Sequence, residues 1–440
     1  MERIDTLIVP RWSIAVEPST AAQEGLSLAV DKGRIVALLP RAEAEQRFAP
    51  DAVHERPDHV LIPGLVNAHT HAAMSLFRGF ADDLPLQQWL EKHIWPAEGR
   101  WVGPDFVADG TRLAIAEMLR GGITCFADMY YFPDVVADVA IECGVRAAVG
   151  MIVIEFPTPW ARDAAEYLTK GLEVRDRFKG HHLISTTFAP HAPYSVADET
   201  LQRLRQLADQ LEVQVHIHVH ETAHEVEQAM NQSGKRPLSR LDEMGLVNPG
   251  LMAVHATQLE PEEIQLLAQA GAHVVHCPRS NLKLASGACP VAALAAAGVN
   301  VALGTDGAAS NNRLDLIAEM QLAALLGKLI ATDVCAVPAG DALRMATING
   351  ARALNLDQEI GSLSAGKSAD VICVDLSDLS QQPVFDPLSA LAYAVDRNQV
   401  SDAWVAGQHL LHKGELTRFD LTDLAARTEQ WRHRLAPVQS

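Results

Sequence analysis

The chain has 440 residues, 48% of them hydrophobic and 21% charged, a balance that leaves ample apolar side chain for one large domain with an accessory part. Its formal net charge of −19 argues against nucleic acid and acidic membrane surfaces as partners, because both are held by clustered Lys and Arg. A free small molecule is the expected partner.

The N-terminus carries Glu2, Arg3 and Asp5 ahead of a short apolar stretch, which does not read as a signal peptide. Residues 26–30 and 34–39 flank Asp31-Lys-Gly33 as a hairpin, with Gly33 free to take a positive φ. The same texture returns near the C-terminus, where residues 369–375 read as a strand and residues 403–412 as a second hairpin. Residues 1–58 and 366–440 are therefore expected to form one small β-sandwich domain from both termini.

The middle, residues 59–365, alternates. Apolar strand-like runs occur at 60–66, 124–129, 146–153, 183–189, 213–219, 251–256, 273–277 and 299–304, with helical patterns between them at 197–211, 261–270 and 314–329. Strands alternating with helices in this way predict an α/β fold, a (β/α)8 TIM-like barrel whose chemistry sits at the C-terminal ends of the strands. The six cysteines, Cys125, Cys143, Cys277, Cys289, Cys335 and Cys373, are scattered without a C-x-x-C pair, as expected of reduced thiols in a cytoplasmic protein. The weakly polar run 290–304 is broken by Gly298 and Asn300 and is too short to span a bilayer.

The strand ends carry the chemistry. His69 and His71 follow the first apolar run; at period two, their side chains leave the same side of a strand, roughly 6.6 Å apart, and can converge on one ion. His191 follows the fourth strand and His255 ends the sixth, while the eighth leads into Gly304-Thr-Asp306-Gly. The fifth reads Val213-Gln-Val-His216-Ile-His218-Val-His220-Glu221, and by period two all three histidines face the barrel interior. They span roughly 13 Å, too far for all to bind one ion. His216 is the deepest and suits a hydrogen-bonded core position, His220 lies at the rim, and spacing alone leaves the ligand open.

These blocks resemble the amidohydrolase superfamily, in particular the branch that deaminates S-adenosylhomocysteine, 5′-methylthioadenosine and adenosine. The likeness covers nearly the whole chain. It rests on Pro63-Gly-Leu-Val-Asn-Ala-His-Thr-His71, Pro190-His191-Ala-Pro-Tyr194, His218-x-His-Glu221-Thr, His255 and Gly304-Thr-Asp306-Gly. The resemblance places the strand-five ligand three residues before a catalytic glutamate, which selects His218 with Glu221. It implies a metal shell of His69, His71, His218 and Asp306 around one divalent ion, zinc by preference, although iron would also accept these ligands. Relatives with two metals carry a lysine where this chain has the Ala189-Pro-His191 turn. Glu221 is then the expected proton shuttle, with His255 and Asp306 assisting as catalytic groups.

For the substrate, the resemblance implies Trp89 lining a pocket, Glu98 accepting hydrogen bonds from ribose hydroxyls, and His191 touching purine or sugar. Ser310 is a further candidate hydrogen-bond donor. Met151 and Arg162, in the stretch from Gly150 to Arg162, are candidates for the 5′ end: Arg162 would hold a carboxylate, and the apolar surroundings would suit a methylthio group. The expected reaction is hydrolytic removal of the 6-amino group of 5′-methylthioadenosine, with S-adenosylhomocysteine or adenosine as further substrates. Guanine deaminase and triazine chlorohydrolase are the alternatives within the superfamily, and a non-catalytic barrel scaffold is the alternative outside enzymology. By analogy with relatives, a homo-oligomer is expected.

Overall fold

The computed structural model describes residues 1–436, which divide into two compact units. One comprises Met1–Asn67, Met118–Cys125 and Asp315–Arg418; the other comprises Ala68–Glu117, Phe126–Leu314 and the chain from Phe419 on.

The first unit is built on a nine-stranded mixed sheet to which both termini contribute. Glu2–Ser13 pairs in parallel with Phe48–Pro63 and antiparallel with Leu26–Asp31, which forms the expected hairpin with Arg34–Pro40. From the C-terminal side, Val371–Asp375 pairs with Phe48–Pro63 and continues the sheet through Val400–Val405 to Gln408–His412. Period-two alternation gives the sheet a buried cluster on each face. Ile8, Leu28, Leu61, Val371 and Trp404 share one cluster, and Leu7, Val9, Ala29 and Phe48 share the other.

The barrel is a sheet of eight strands in which sequence neighbours are spatial neighbours. Its strands are Leu65–Thr70, Ile123–Asp128, Arg146–Val153, Ile184–Pro190, Val215–Val219, Leu251–His255, His273–His276 and Asn300–Leu303. Strand pairs along it run in parallel, and the third, fifth and sixth strands are buried at every position. This is why their sequences read as continuous apolar runs. The apolar run at 60–66 does not form a single strand. Pro63 ends a strand of the mixed sheet and Leu65 starts the first barrel strand. Gly64 makes the switch where a Cβ would lie 2.0 Å from Thr124 Oγ1, so no side chain fits there.

Two features of the barrel rim place the polar residues. The last strand stops at Leu303, and its continuation docks on the first when the Asp306 amide donates to the His69 carbonyl at 3.0 Å. Thr70 Oγ1 then donates to the Asp306 carbonyl at 2.9 Å. Between the fourth and fifth strands, the His218 amide donates to the His191 carbonyl at 3.2 Å. All six cysteines are free thiols, and no helix among the described residues is long and apolar enough to cross a membrane.

Candidate active site

Four side chains from three parts of the barrel meet at its C-terminal end. His69 and His71 come from the end of the first strand, His218 from the fifth, and Asp306 from just past the eighth. Nitrogens of His69, His71 and His218 lie within 4.8 Å of one another. His218 Nε2 is 3.2 Å from His69 Nε2, while Asp306 Oδ1 is 3.4 Å from His69 Nε2 and 3.3 Å from His71 Nε2.

The outer partners decide what those inner atoms can be. His71 Nδ1 donates to the Met129 carbonyl at 2.5 Å, and His218 Nδ1 donates to the His191 carbonyl at 2.8 Å. A carbonyl only accepts, so in the neutral imidazoles both Nε2 atoms present lone pairs to the centre. His69 Nδ1 lies 2.9 Å from His216 Nε2, which gives His216 the structural role expected of it. Asp306 Oδ2 accepts from Ser280 Oγ at 2.6 Å and Ser310 Oγ at 2.8 Å, turning Oδ1 towards the imidazoles. Lone pairs and a carboxylate aimed at one point repel one another unless a cation sits between them. Burial by itself would neutralise Asp306, but the His69 and His71 imidazoles beside it outweigh burial and hold it well below the usual carboxylate range. Burial likewise disfavours a charged His71, yet Asp306 and the Met129 carbonyl draw it upward. Three imidazoles and one carboxylate, each oriented from behind, suit a divalent metal ion.

Local backbone geometry supports this convergence. His220, His255 and Asp306 have φ of 55°, 75° and 59°, in a region that costs a non-glycine residue about 1–3 kcal/mol and persists where the surrounding structure holds it. At His220 the left-handed residue breaks the period-two alternation. Its ring is fully buried, Nε2 accepts from the Leu238 amide at 3.2 Å, and Nδ1 lies 3.6 Å from Glu263. His220 thus stands at the end of the strand with its ring turned away from the barrel interior, contrary to the spacing rule. Gly304 is required by close approach, since a Cβ there would lie 2.8 Å from His69 Cβ and 3.0 Å from Cys277 Sγ.

Glu221 follows the fifth strand and is buried beside the metal set. Its amide and that of His220 donate to the two oxygens of Glu225 at 2.7 and 3.0 Å, and Thr257 Oγ1 donates to its carbonyl at 2.7 Å. Burial, reinforced by Asp306 and Glu225, raises the Glu221 carboxyl well above its ordinary value. Two nearby carboxyls are thus pushed in opposite directions, Asp306 ionised and Glu221 inclined to hold a proton, the division expected of a metal ligand and a proton-transfer group. His255 Nε2 lies 3.8 Å from Glu221 Oε1, and its Nδ1 is 3.0 Å from Asn281 Nδ2. Burial lowers the His255 pKa to about 3, so its ring is neutral; an amide donor at Nδ1 places its hydrogen on Nε2, towards Glu221.

The cavity over this set is lined by His71, Glu221, His255, Asp306 and Ser310 at its polar end, and by Trp89, Ile152, Ile154 and Phe156 among its apolar walls. His191 and Glu98 also face it. Trp89 and Glu98 reach it from a helical segment in which Leu86–Trp89 and Trp95–Trp101 are joined by a π-helical turn, Leu90–Ile94. The wider turn brings Trp89 and Ile94, five apart, to the same side. Glu98 Oε1 accepts from Tyr130 Oη at 2.7 Å, and burial pushes its carboxyl up to about 7 despite that bond.

Two of the expected site residues lie elsewhere. Met151 is buried on the outward side of the third strand, against Gly171 of the helix Ala164–Phe178, because inward and outward positions alternate along a strand. Arg162 is 83% exposed and paired with Glu166 at 2.8 Å, four residues on, so the guanidinium is occupied at the surface and does not line the cavity. Ser310 does line it, but spends its hydroxyl on Asp306. Sequence reasoning missed Tyr130, Ser280, Asn281, Glu225 and Thr257, all of which act on another residue and carry no spacing signature of their own.

Comparison with known proteins agrees with this geometry. Residues 60–410 match the amidohydrolase family. The chain belongs to the amidohydrolase family. Among curated amidohydrolase relatives, a protein of Teredinibacter turnerae named 5-methylthioadenosine/S-adenosylhomocysteine deaminase is 50% identical over 98% of each chain. A solved structure described as an adenosine deaminase from Xanthomonas campestris with bound zinc is 53% identical, covers 99% of this chain and 100% of its own, and superposes with a TM-score of 0.98. Atrazine chlorohydrolase from Arthrobacter aurescens, at 23% identity over 97% of this chain and 99% of its own, shares the fold with a TM-score of 0.90.

Proposed function

We propose that this amidohydrolase is a metal-dependent hydrolytic deaminase that converts the 6-amino group of a 5′-modified adenosine to the inosine form and releases ammonia, with 5′-methylthioadenosine as the preferred substrate. The observation that carries the substrate is the cavity lining. The metal set and Glu221 stand at the polar end, Trp89 offers an aromatic face, Glu98 supplies a buried acceptor, and among the described residues neither Lys nor Arg lines the wall. An apolar 5′ group is at home against Ile152, Ile154 and Phe156, whereas a carboxylate there would lack a cation. The names of the relatives at 50% and 53% identity support the same class of reaction.

We assign zinc to the site, held by His69, His71, His218 and Asp306; when bound it would lower the pKa of water from 15.7 to about 7 and so supply a hydrolytic nucleophile at neutral pH. In its ionised form Glu221 takes a proton from the attacking water and gives it to ring N1, and the burial that raises its pKa makes it the stronger base. His255, with Nε2–H directed to the same region, donates a hydrogen bond to the oxygen that becomes the product carbonyl. Asp306, ionised at rest, takes the proton of the C6 hydroxyl and passes it to the departing amino group, so that ammonia leaves as the carbonyl forms. Glu98 accepts from the ribose hydroxyls, and His191 borders the purine.

Ammonia release from a panel of 5′-methylthioadenosine, S-adenosylhomocysteine, adenosine, guanine and melamine tests this reading. The expected order places 5′-methylthioadenosine first. Turnover confined to guanine or a triazine would overturn it, and a tenfold preference for S-adenosylhomocysteine would overturn the apolar-subsite argument. Glu221→Gln is expected to lower kcat by about 10²–10⁴-fold while metal content is retained.

A further inference from the structure

A second group of imidazoles lies in the mixed sheet. His54 on Phe48–Pro63 and His409 and His412 on Gln408–His412 each bring a ring nitrogen within 4.8 Å of the others. The ring centres of His54 and His409 are 4.9 Å apart, and those of His409 and His412 are 4.7 Å apart.

Behind them sits Asp402, wholly buried, gripped by Arg56 through Nε at 2.7 Å and Nη2 at 2.5 Å. Its Oδ1 also accepts from His409 Nε2 at 2.9 Å and from His412 Nδ1 at 3.3 Å. The buried guanidinium outweighs the burial penalty and holds Asp402 far below the usual carboxylate range, so it is an acceptor and both imidazoles are donors to it. With those nitrogens protonated, His409 Nδ1 and His412 Nε2 are left as lone pairs. A carboxylate that fixes the tautomer and orientation of an imidazole is the standard backing of a histidine metal ligand. His409 is further fixed by stacking on Trp404, with ring centres 4.1 Å apart and planes within 11°. His54, half-buried, packs edge-on against both Trp404 and His409. His412, with 45% of its side chain exposed, leaves the cluster open to solvent.

We propose that His54, His409 and His412 form a second metal site, taking one divalent ion of borderline softness such as Zn²⁺, Ni²⁺ or Cu²⁺. Three imidazole donors with an open fourth position suit these ions and disfavour Mg²⁺ and Ca²⁺, which prefer oxygen. The site takes no part in the barrel chemistry. His54 lies in the N-terminal contribution to the sheet, and His409 and His412 in the C-terminal contribution. An ion would therefore clip together strands that are far apart in the chain and not adjacent in the sheet. Such a clip stabilises the folded state, because the unfolded chain does not hold the three rings together.

The test is zinc stoichiometry by elemental analysis after dialysis of the full-length enzyme against Zn²⁺, alongside thermal unfolding with and without the ion. Wild type is expected to hold two zinc ions per chain. His412→Ala and His54→Ala should hold one, keep deaminase turnover within twofold of wild type, and show a smaller zinc-dependent rise in Tm than wild type. His218→Ala should also hold one, but lose turnover and keep the part of the rise in Tm that His412→Ala loses. A wild-type stoichiometry of one, or a stoichiometry of two that survives His412→Ala, would overturn the proposal. His412 is solvent-exposed, so its replacement tests the site without emptying the core; a deaminase reading that failed would leave these zinc counts unaffected.

Discussion

Tyr130→Phe removes one hydroxyl from the cavity wall and isolates the electrostatics of Glu98. Tyr130 Oη donates to Glu98 Oε1 at 2.7 Å, and both residues are at least nine-tenths buried. A hydrogen bond to a charged group contributes about 1.5–3 kcal/mol, and each pKa unit corresponds to about 1.4 kcal/mol, so its loss should raise the Glu98 pKa by about one to two units. Burial already pushes that carboxyl up to about 7, and the Tyr130 bond, with a smaller contribution from His71, opposes it. The sign follows directly: the bond favours the ionised form, so removing it lets the neutral form persist to higher pH. At pH 7 the ionised fraction should fall from about one half to between about one tenth and one hundredth. If ionised Glu98 holds the ribose hydroxyls, kcat/KM at pH 7 should drop by about 5–50-fold and recover as pH approaches 9. The assay is kcat/KM for 5′-methylthioadenosine against pH, with the 2′,3′-dideoxy analogue in parallel, whose turnover should hardly respond. A Tyr130→Phe profile that superimposes on that of wild type, or one lowered equally at every pH, would refute the reasoning.

Four further substitutions probe the supports of the site and its reach. Ser280→Ala and Ser310→Ala each remove a donor from Asp306 Oδ2, and each is expected to weaken metal retention against a chelator by about 10–100-fold, as measured by competition dialysis. Unchanged metal affinity in both variants would show that Asp306 needs no such orientation. Gly304→Ala pushes a methyl against His69 Cβ and Cys277 Sγ, where nothing buried has room to yield; a loss of about 1–3 kcal/mol in chemical denaturation is expected, together with poorer metal retention. Arg162→Ala should change turnover of 5′-methylthioadenosine and S-adenosylhomocysteine by less than twofold, since the guanidinium is at the surface; a selective loss with the latter would show that it reaches substrate after all.

Much of this architecture is legible in the chain alone, because it follows from periodicity and from short motifs. Buried parallel strands must be apolar on both sides, so the barrel strands stand out as runs, and the third strand, Arg146–Val153, runs between the same residues in sequence and structure. The helix Pro261–Ala270 does so too, for it opens on Pro261 after the capping residue Glu260 and stops at the left-handed Gly271. His69 and His71 are visible because a two-residue spacing is a property of the strand itself. What the sequence could not decide lies where local rules meet tertiary ones. The division of one apolar run at Gly64 depends on the distant Thr124, and the outward turn of His220 depends on a left-handed backbone held by neighbouring strands. Met151 has the composition of a pocket residue but the wrong parity, and Arg162 has the right charge but a partner four residues away. Sequence determines which residues are able to bind a metal or move a proton. Only the closed barrel decides which of them share a centre, because the hydrogen bonds that orient His71, His218 and Asp306 come from carbonyls and hydroxyls on other strands and loops.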